Sequence, residues 1–140
     1  MVVSLLGRRR LLAAALAAGP ALAAGPGASA AGSVLVVYVG GWDCPYCTVW
    51  KNEHKAAWLA SDLAKHVRYV EIDPPKLKEA YQERYWPHDL LPVLAQVPRK
   101  SGTPRFLVVK NGKLVANEFG VGQWPKALDA IRKAVGASGA

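Results

Sequence analysis

Both cysteines of the chain fall in one six-residue stretch, Trp42-Asp43-Cys44-Pro45-Tyr46-Cys47. A continuous apolar run, Val34 to Val39, leads into it, and a helix is expected to lead out from Thr48. A Cys-x-x-Cys pair at a strand-to-helix turn suits a dithiol redox centre. Cys44 would lie at the helix N-terminus, where unpaired backbone N–H groups and the macrodipole favour a thiolate. The thiolate is the form that attacks a disulfide. Cys47, one helical turn on, would attack the resulting mixed disulfide and release the substrate. Pro45 suits a first helical turn, where its missing N–H has no partner to lose. Three other readings compete: a plain structural disulfide, a zinc site and haem attachment. The zinc site lacks a second cysteine pair, and His54, His66 and His88 are scattered. Haem attachment needs His after Cys47, and residue 48 is Thr.

Residues 1–30 read as a cleavable signal peptide. Arg8-Arg9-Arg10 is a basic start, Leu11 to Ala18 is a short apolar segment, and Gly19-Pro20 breaks it. Ala21-Leu22-Ala23 and Ala28-Ser29-Ala30 both fit a small-residue cleavage site. The competing reading is a disordered or amphipathic tail. The apolar segment is too short to span a membrane, so no stable insertion is expected after cleavage. The paired arginines resemble a twin-arginine signal, and Sec signals carry arginines as well. The expected destination is a bacterial periplasm.

Removing that segment leaves residues 31–140 as one small domain with a single core. The whole chain has 18 Lys and Arg against 10 Asp and Glu; without Arg8, Arg9 and Arg10 the balance is 15 minus 10, or +5. The cations are dispersed among acids rather than gathered in a stripe, which argues against nucleic acid as a partner. A mildly basic face would still steer an acidic partner. An exported chain whose two cysteines lie three apart gains little from their disulfide as a staple, because so small a loop constrains the unfolded chain weakly. That shifts weight toward redox chemistry.

In chain order, Val34–Val39 reads as a buried central strand, and Gly40-Gly41 lets the backbone turn toward the cysteines. Thr48 to Leu59 reads as a helix with Val49, Trp50, Ala57 and Trp58 turned inward, and Ser61 as a cap for a further turn. Val67 to Ile72 alternates as a strand does, and Asp73-Pro74-Pro75 ends it. Lys76 to Tyr85 places Leu77, Ala80, Tyr81 and Tyr85 on one helical face, with Pro87 as the stop. Asp89 to Val97 reads as another helix with Pro92 in its first turns. Two apolar runs, Phe106–Val109 and Leu114–Phe119, flank Asn111-Gly112 and predict a hairpin. A last helix begins near Trp124-Pro125, with Trp124, Ala127, Leu128, Ile131 and Val135 as its stripe. The order is β–α–β–α–β–β–α.

With these features in place, residues 33–136 resemble the thioredoxin superfamily. The resemblance rests on the element order, on Cys44-Pro-Tyr-Cys47, on Gly102-Thr103-Pro104 before a hairpin strand and on Lys110-Asn-Gly-Lys113 in the turn. It implies an α/β thioredoxin fold, a central mixed β-sheet flanked by helices. It also implies a cis Thr103-Pro104 bond packed against the cysteines, exposing backbone polar groups to a substrate strand. The chain departs from cytosolic thioredoxin at several positions. The dipeptide is Pro-Tyr, as in glutaredoxins. Tyr38 stands where thioredoxin has its buried aspartate, and Asn52 replaces its helix proline. The usual proton acceptor is therefore missing, and Asp43, Glu53 and His54 are the candidates to replace it. Cys44-Pro-Tyr-Cys47 with Trp50 and Glu53 in an exported chain is most similar to the small periplasmic thioredoxins of sulfur-oxidation systems, which keep a carrier protein's cysteine reduced.

The function implied is an exported thiol–disulfide oxidoreductase with Cys44 as nucleophile and Cys47 as resolving thiol. Thr103 and Pro104 would shape the substrate groove, and Trp42, Pro45 and Tyr46 would border it. Its partners would be a periplasmic protein disulfide and an upstream electron-donor protein. No cofactor is implied, since the dithiol carries both electrons. The rival readings are a soft-metal chaperone holding Cu(I) between two thiolates and an inert interaction module. No methionine cluster supports the first, Met1 being the only methionine.

Overall fold

The computed structural model describes residues 33–98 and 101–138; the signal-peptide reading of residues 1–30 lies outside them. Four strands form one mixed sheet: β1 (Val34–Val39), β2 (Arg68–Ile72), β3 (Arg105–Lys110) and β4 (Lys113–Phe119), in the order β2-β1-β3-β4. β1 runs parallel to β2, with Val39 opposite Ile72. It is antiparallel to β3, with Val37 opposite Leu107, and β3 is antiparallel to β4. Asn111 and Gly112 take φ of 50° and 80° in the β3–β4 turn. Positive φ at both central residues matches the twist of a two-residue hairpin, which is why Asn-Gly serves there. A bulge at Val108/Val109 shifts the register beyond the turn.

Strand alternation sends side chains to two cores. Val34, Val36 and Tyr38 of β1 and Phe106 and Val108 of β3 face one side, and Val37, Val39, Leu107 and Val109 face the other. β1 is central and covered on both faces, so its sequence is an unbroken apolar run. The first face is covered by a helical stretch comprising α1 (Pro45–Trp50), a π-helical segment (Lys51–Lys55) and α2 (Ala56–Ala60), together with the C-terminal helix α4 (Trp124–Ser138). Trp50, Trp58 and Trp124 bury their rings there. The second face is covered by residues 77–97, through Ala80, Trp86, Leu90, Val93 and Val97.

The structure corrects several expected elements. Val49 and Ala57 are exposed, and only Trp50 and Trp58 of that set point inward. The 76–85 helix is instead two separate 3₁₀ turns, Leu77–Glu79 and Glu83–Tyr85. Hydrogen bonding explains the break. The Ala80 carbonyl, which a continuing helix would bond to a backbone N–H, accepts from the Trp86 indole at 2.8 Å. Leu77, expected on the buried face, is exposed. The 89–97 helix shrinks to α3 (Leu91–Leu94), entered through a 3₁₀ turn at His88–Leu90 with Pro92 near its start. Ser61 does cap: its hydroxyl accepts from the Ala64 N–H at 3.2 Å. Along α4, Trp124, Ala127 and Ile131 are buried, with Leu128 and Val135 packed beside them.

Candidate active site

Cys44 and Cys47 form a disulfide where β1 hands over to α1. The residues between are set by backbone chemistry. Gly40 and Gly41 are buried at the strand end. A Cβ on Gly41 would come within 2.6 Å of the Leu77 Cα, so only glycine lets that segment approach. Cys44 is the N-cap of α1, in extended conformation, and its sulfur accepts from the Cys47 N–H at 3.1 Å. Pro45 occupies the first helical position. The Thr48 N–H and hydroxyl both reach the Cys44 carbonyl, at 3.1 Å and 3.3 Å. In this oxidised form Cys44 is 2% exposed and Cys47 fully buried. Nucleophilic attack by Cys44 requires this disulfide to be reduced first.

The disulfide sits on an aromatic cluster. Tyr38 stacks on Trp50 with ring centroids 4.6 Å apart, and Trp50 meets Phe106 and the edge of Trp124 at 5.4 Å and 5.3 Å. Tyr38 holds its hydroxyl and Trp50 its indole N–H in the core without a hydrogen-bond partner among the described residues. Burial, with Asp73 and Glu71 nearby, raises the Tyr38 phenol well above its ordinary range, so it stays protonated. Among the described residues, none of the candidate proton acceptors hydrogen-bonds to either cysteine. Asp43 accepts from the Leu77 N–H at 2.7 Å. Glu53 and His54 lie 3.8 Å apart on the π-helical segment. An ion pair that sequence reasoning missed lies one turn beyond Cys47: the Lys51 ammonium meets Asp73 at 2.5 Å and stands 5.8 Å from the Tyr38 ring centroid. Lys51 follows Cys47 by four residues, the only signal in the sequence that the two share a helical face.

Gly102, Thr103 and Pro104 arrive from the other side, immediately before β3. The Thr103–Pro104 bond is cis. The Thr103 hydroxyl donates to the Cys44 sulfur at 3.4 Å. The Gly102 carbonyl is held by the Tyr81 hydroxyl at 2.7 Å and by Arg105 at 3.4 Å. Pro104 is buried, and its carbonyl accepts from the Gly120 N–H at 2.9 Å. A cis-proline loop thus faces a Cys-x-x-Cys helix start, on a sheet ordered β2-β1-β3-β4 with β1 antiparallel to β3. This is a thioredoxin fold. No protein-family model and no curated relative matches the chain. Among solved structures, a DsbH oxidoreductase is similar at 15% identity, over 74% of this chain and 72% of that one, with a TM-score of 0.40.

The residues expected to border a groove are brought together unevenly. Thr103 touches the Cys44 sulfur, whereas Trp42 and Tyr46 stand out from the surface, each 69% exposed. Pro45 is exposed beside Tyr46. A cleft of about 780 Å³ opens beyond Leu77, lined by Tyr81, Leu91, Leu94 and Val97 among others, and the cysteines do not line it. Among the described residues no helix is long and apolar enough to cross a membrane.

Proposed function

We propose that this chain is an exported thiol–disulfide oxidoreductase that reduces a disulfide, or mixed disulfide, of a periplasmic protein. The observation that carries the reading is the Cys44–Cys47 disulfide at a helix start, with the Thr103 hydroxyl on the Cys44 sulfur. In the reduced protein the Cys44 thiolate attacks a substrate sulfur. A Cys44–substrate disulfide forms and the first substrate thiolate leaves. Cys47, deprotonated, then attacks the Cys44 sulfur, forming the Cys44–Cys47 disulfide and releasing the second substrate thiolate. Two electrons pass to the substrate, and an upstream dithiol protein returns them. Trp42, Pro45 and Tyr46 would contact the substrate, and Thr103 with Pro104 would form the opposite wall. Resemblance to the small thioredoxins of sulfur-oxidation systems, which act as reductants, supports the direction.

The test is an insulin-reduction assay with trapping. Cys44→Ser should abolish turnover. Cys47→Ser should accumulate a mixed disulfide on Cys44 whose partner mass spectrometry identifies. Wild-type turnover by Cys44→Ser would overturn the reading. Stoichiometric Cu(I) retention by a reduced protein without reductase activity would favour a metal carrier instead.

A further inference from the structure

We infer that the segment from Pro74 to Lys78 is a cationic docking edge for the protein substrate, selecting target cysteines flanked by acidic residues; the inference rests on the redox reading above. Three contacts fix this segment to the turn that carries the cysteines. The Trp42 N–H donates to the Pro74 carbonyl at 3.0 Å, and the Leu77 N–H donates to the Asp43 carboxylate at 2.7 Å. Gly41 lets the Leu77 backbone lie directly against it. Leu77 is thus anchored to the residue preceding Cys44, and Lys76 and Lys78 flank it in sequence.

Lys76, Leu77 and Lys78 are all exposed. Several other cations are paired with carboxylates: Lys51 with Asp73, Lys55 with Glu71, Arg68 with Asp89 and Lys126 with Glu118. The Lys76 and Lys78 ammonium groups make no ion pair or hydrogen bond among the described residues. Two acids lie near them in the fold or the sequence. Asp43 is turned to the Leu77 N–H, and Glu79 is held by Arg84 at 3.0 Å and by the Tyr85 hydroxyl at 2.9 Å. The result is an edge of net positive charge, two cations against the one carboxylate of Asp43, around an apolar spot in a segment whose backbone is tied to exposed Trp42. A negatively charged segment on either side of a substrate cysteine complements it. Such complementarity acts mainly through association rate and partner choice, and salt screens it.

The experiment uses disulfide peptides of one core sequence with the cysteine flanked by Glu, by Ser or by Lys. The readout is kcat/KM at low and high salt, for wild type and for the Lys76→Glu/Lys78→Glu double variant. Hydroxyethyl disulfide, which is small and uncharged, reports the redox centre of the wild type separately. The expected order for wild type is Glu over Ser over Lys, with about tenfold between the extremes at low salt and convergence at high salt. The double variant should reverse the order, a ratio that any general loss of activity leaves intact. Equal kcat/KM for the Glu and Lys peptides, or a Glu preference that survives charge reversal, would overturn the docking edge while turnover of hydroxyethyl disulfide preserved the redox reading. Failure of the wild type to reduce hydroxyethyl disulfide would remove both.

Discussion

The Thr103 hydroxyl donates to the Cys44 sulfur across 3.4 Å, joining two residues 59 apart in sequence. A hydrogen bond to a sulfur strengthens when that sulfur becomes a thiolate, so the same contact would favour the attacking form in the reduced protein. Thr103→Val keeps the shape and removes the donor. Net hydrogen bonds to charged groups contribute about 1.5–3 kcal/mol. Alkylation of reduced Cys44 at mildly acidic pH should therefore slow by about tenfold or more in Thr103→Val, with Thr103→Ser recovering most of the rate. Iodoacetamide kinetics followed by peptide mass spectrometry make the measurement. An unchanged rate would mean that the hydroxyl only packs against the disulfide.

Tyr38 and Gly40 constrain one another. A Cβ on Gly40 would lie 2.2 Å from the Tyr38 hydroxyl and 2.6 Å from the ring carbon bearing it. The ring cannot retreat, because it is stacked on Trp50 in the core. Gly40→Ala should destabilise the protein by about 1–3 kcal/mol through overpacking. Tyr38→Phe alone should be neutral or stabilising, since it removes a buried hydroxyl that has no partner among the described residues. In the double variant the loss should be partly recovered, because one of the clashing atoms is gone. Chemical denaturation of the four proteins gives the coupling, and strict additivity would refute the steric account.

Trp42 and Tyr46 are each 69% exposed beside the cysteines, and large aromatic side chains of this kind dominate many interfaces. Trp42→Ala should cost stability within about 0.5 kcal/mol, as exposed substitutions usually do. It should nevertheless lower kcat/KM for a protein disulfide by about tenfold, in the range of truncating an interface anchor. Hydroxyethyl disulfide, too small to reach the ring, serves as the comparison. An equal loss on both substrates would place Trp42 in the local fold instead.

The strands and hairpin were legible because their causes are local. Val34–Val39 is apolar throughout, as a strand covered on both faces must be, and Asn111-Gly112 supplies the two positive φ angles the hairpin turn uses. The cysteine turn was legible for the same reason. Residues 76–97 were not, because the Ala80 carbonyl is taken by an indole six residues on, a competition that helical periodicity does not register. At the site, the cis bond at Thr103 came from family resemblance, and its contact with Cys44 joins distant segments. The Asp43–Leu77 bond spans 34 residues, so no local pattern announces it. Tyr38 marked the missing aspartate, but nothing local indicated that its ring would fill the space beneath the disulfide against Trp50.

Tyr81 ties the two sides of the site together, since its hydroxyl holds the Gly102 carbonyl at 2.7 Å just before Thr103. Burial raises its phenol from 10.0 to about 12, with Arg105 opposing the shift. A raised folded-state value means that the fold favours the protonated form. That contribution is complete below pH 10 and is lost as pH climbs toward about 12. Tyr81→Phe removes the hydrogen bond and should cost about 1 kcal/mol at neutral pH. Between pH 10 and 12 the wild-type advantage should shrink and then vanish, because the ionised phenolate can no longer donate and is disfavoured in its buried setting. Other tyrosines with raised values, such as Tyr38 and Tyr69, contribute alike in both proteins and cancel in the difference. Urea denaturation of wild type and Tyr81→Phe across that range measures it. A stability gap that stays constant to pH 12 would show that the Tyr81 hydroxyl does not anchor the loop carrying Thr103.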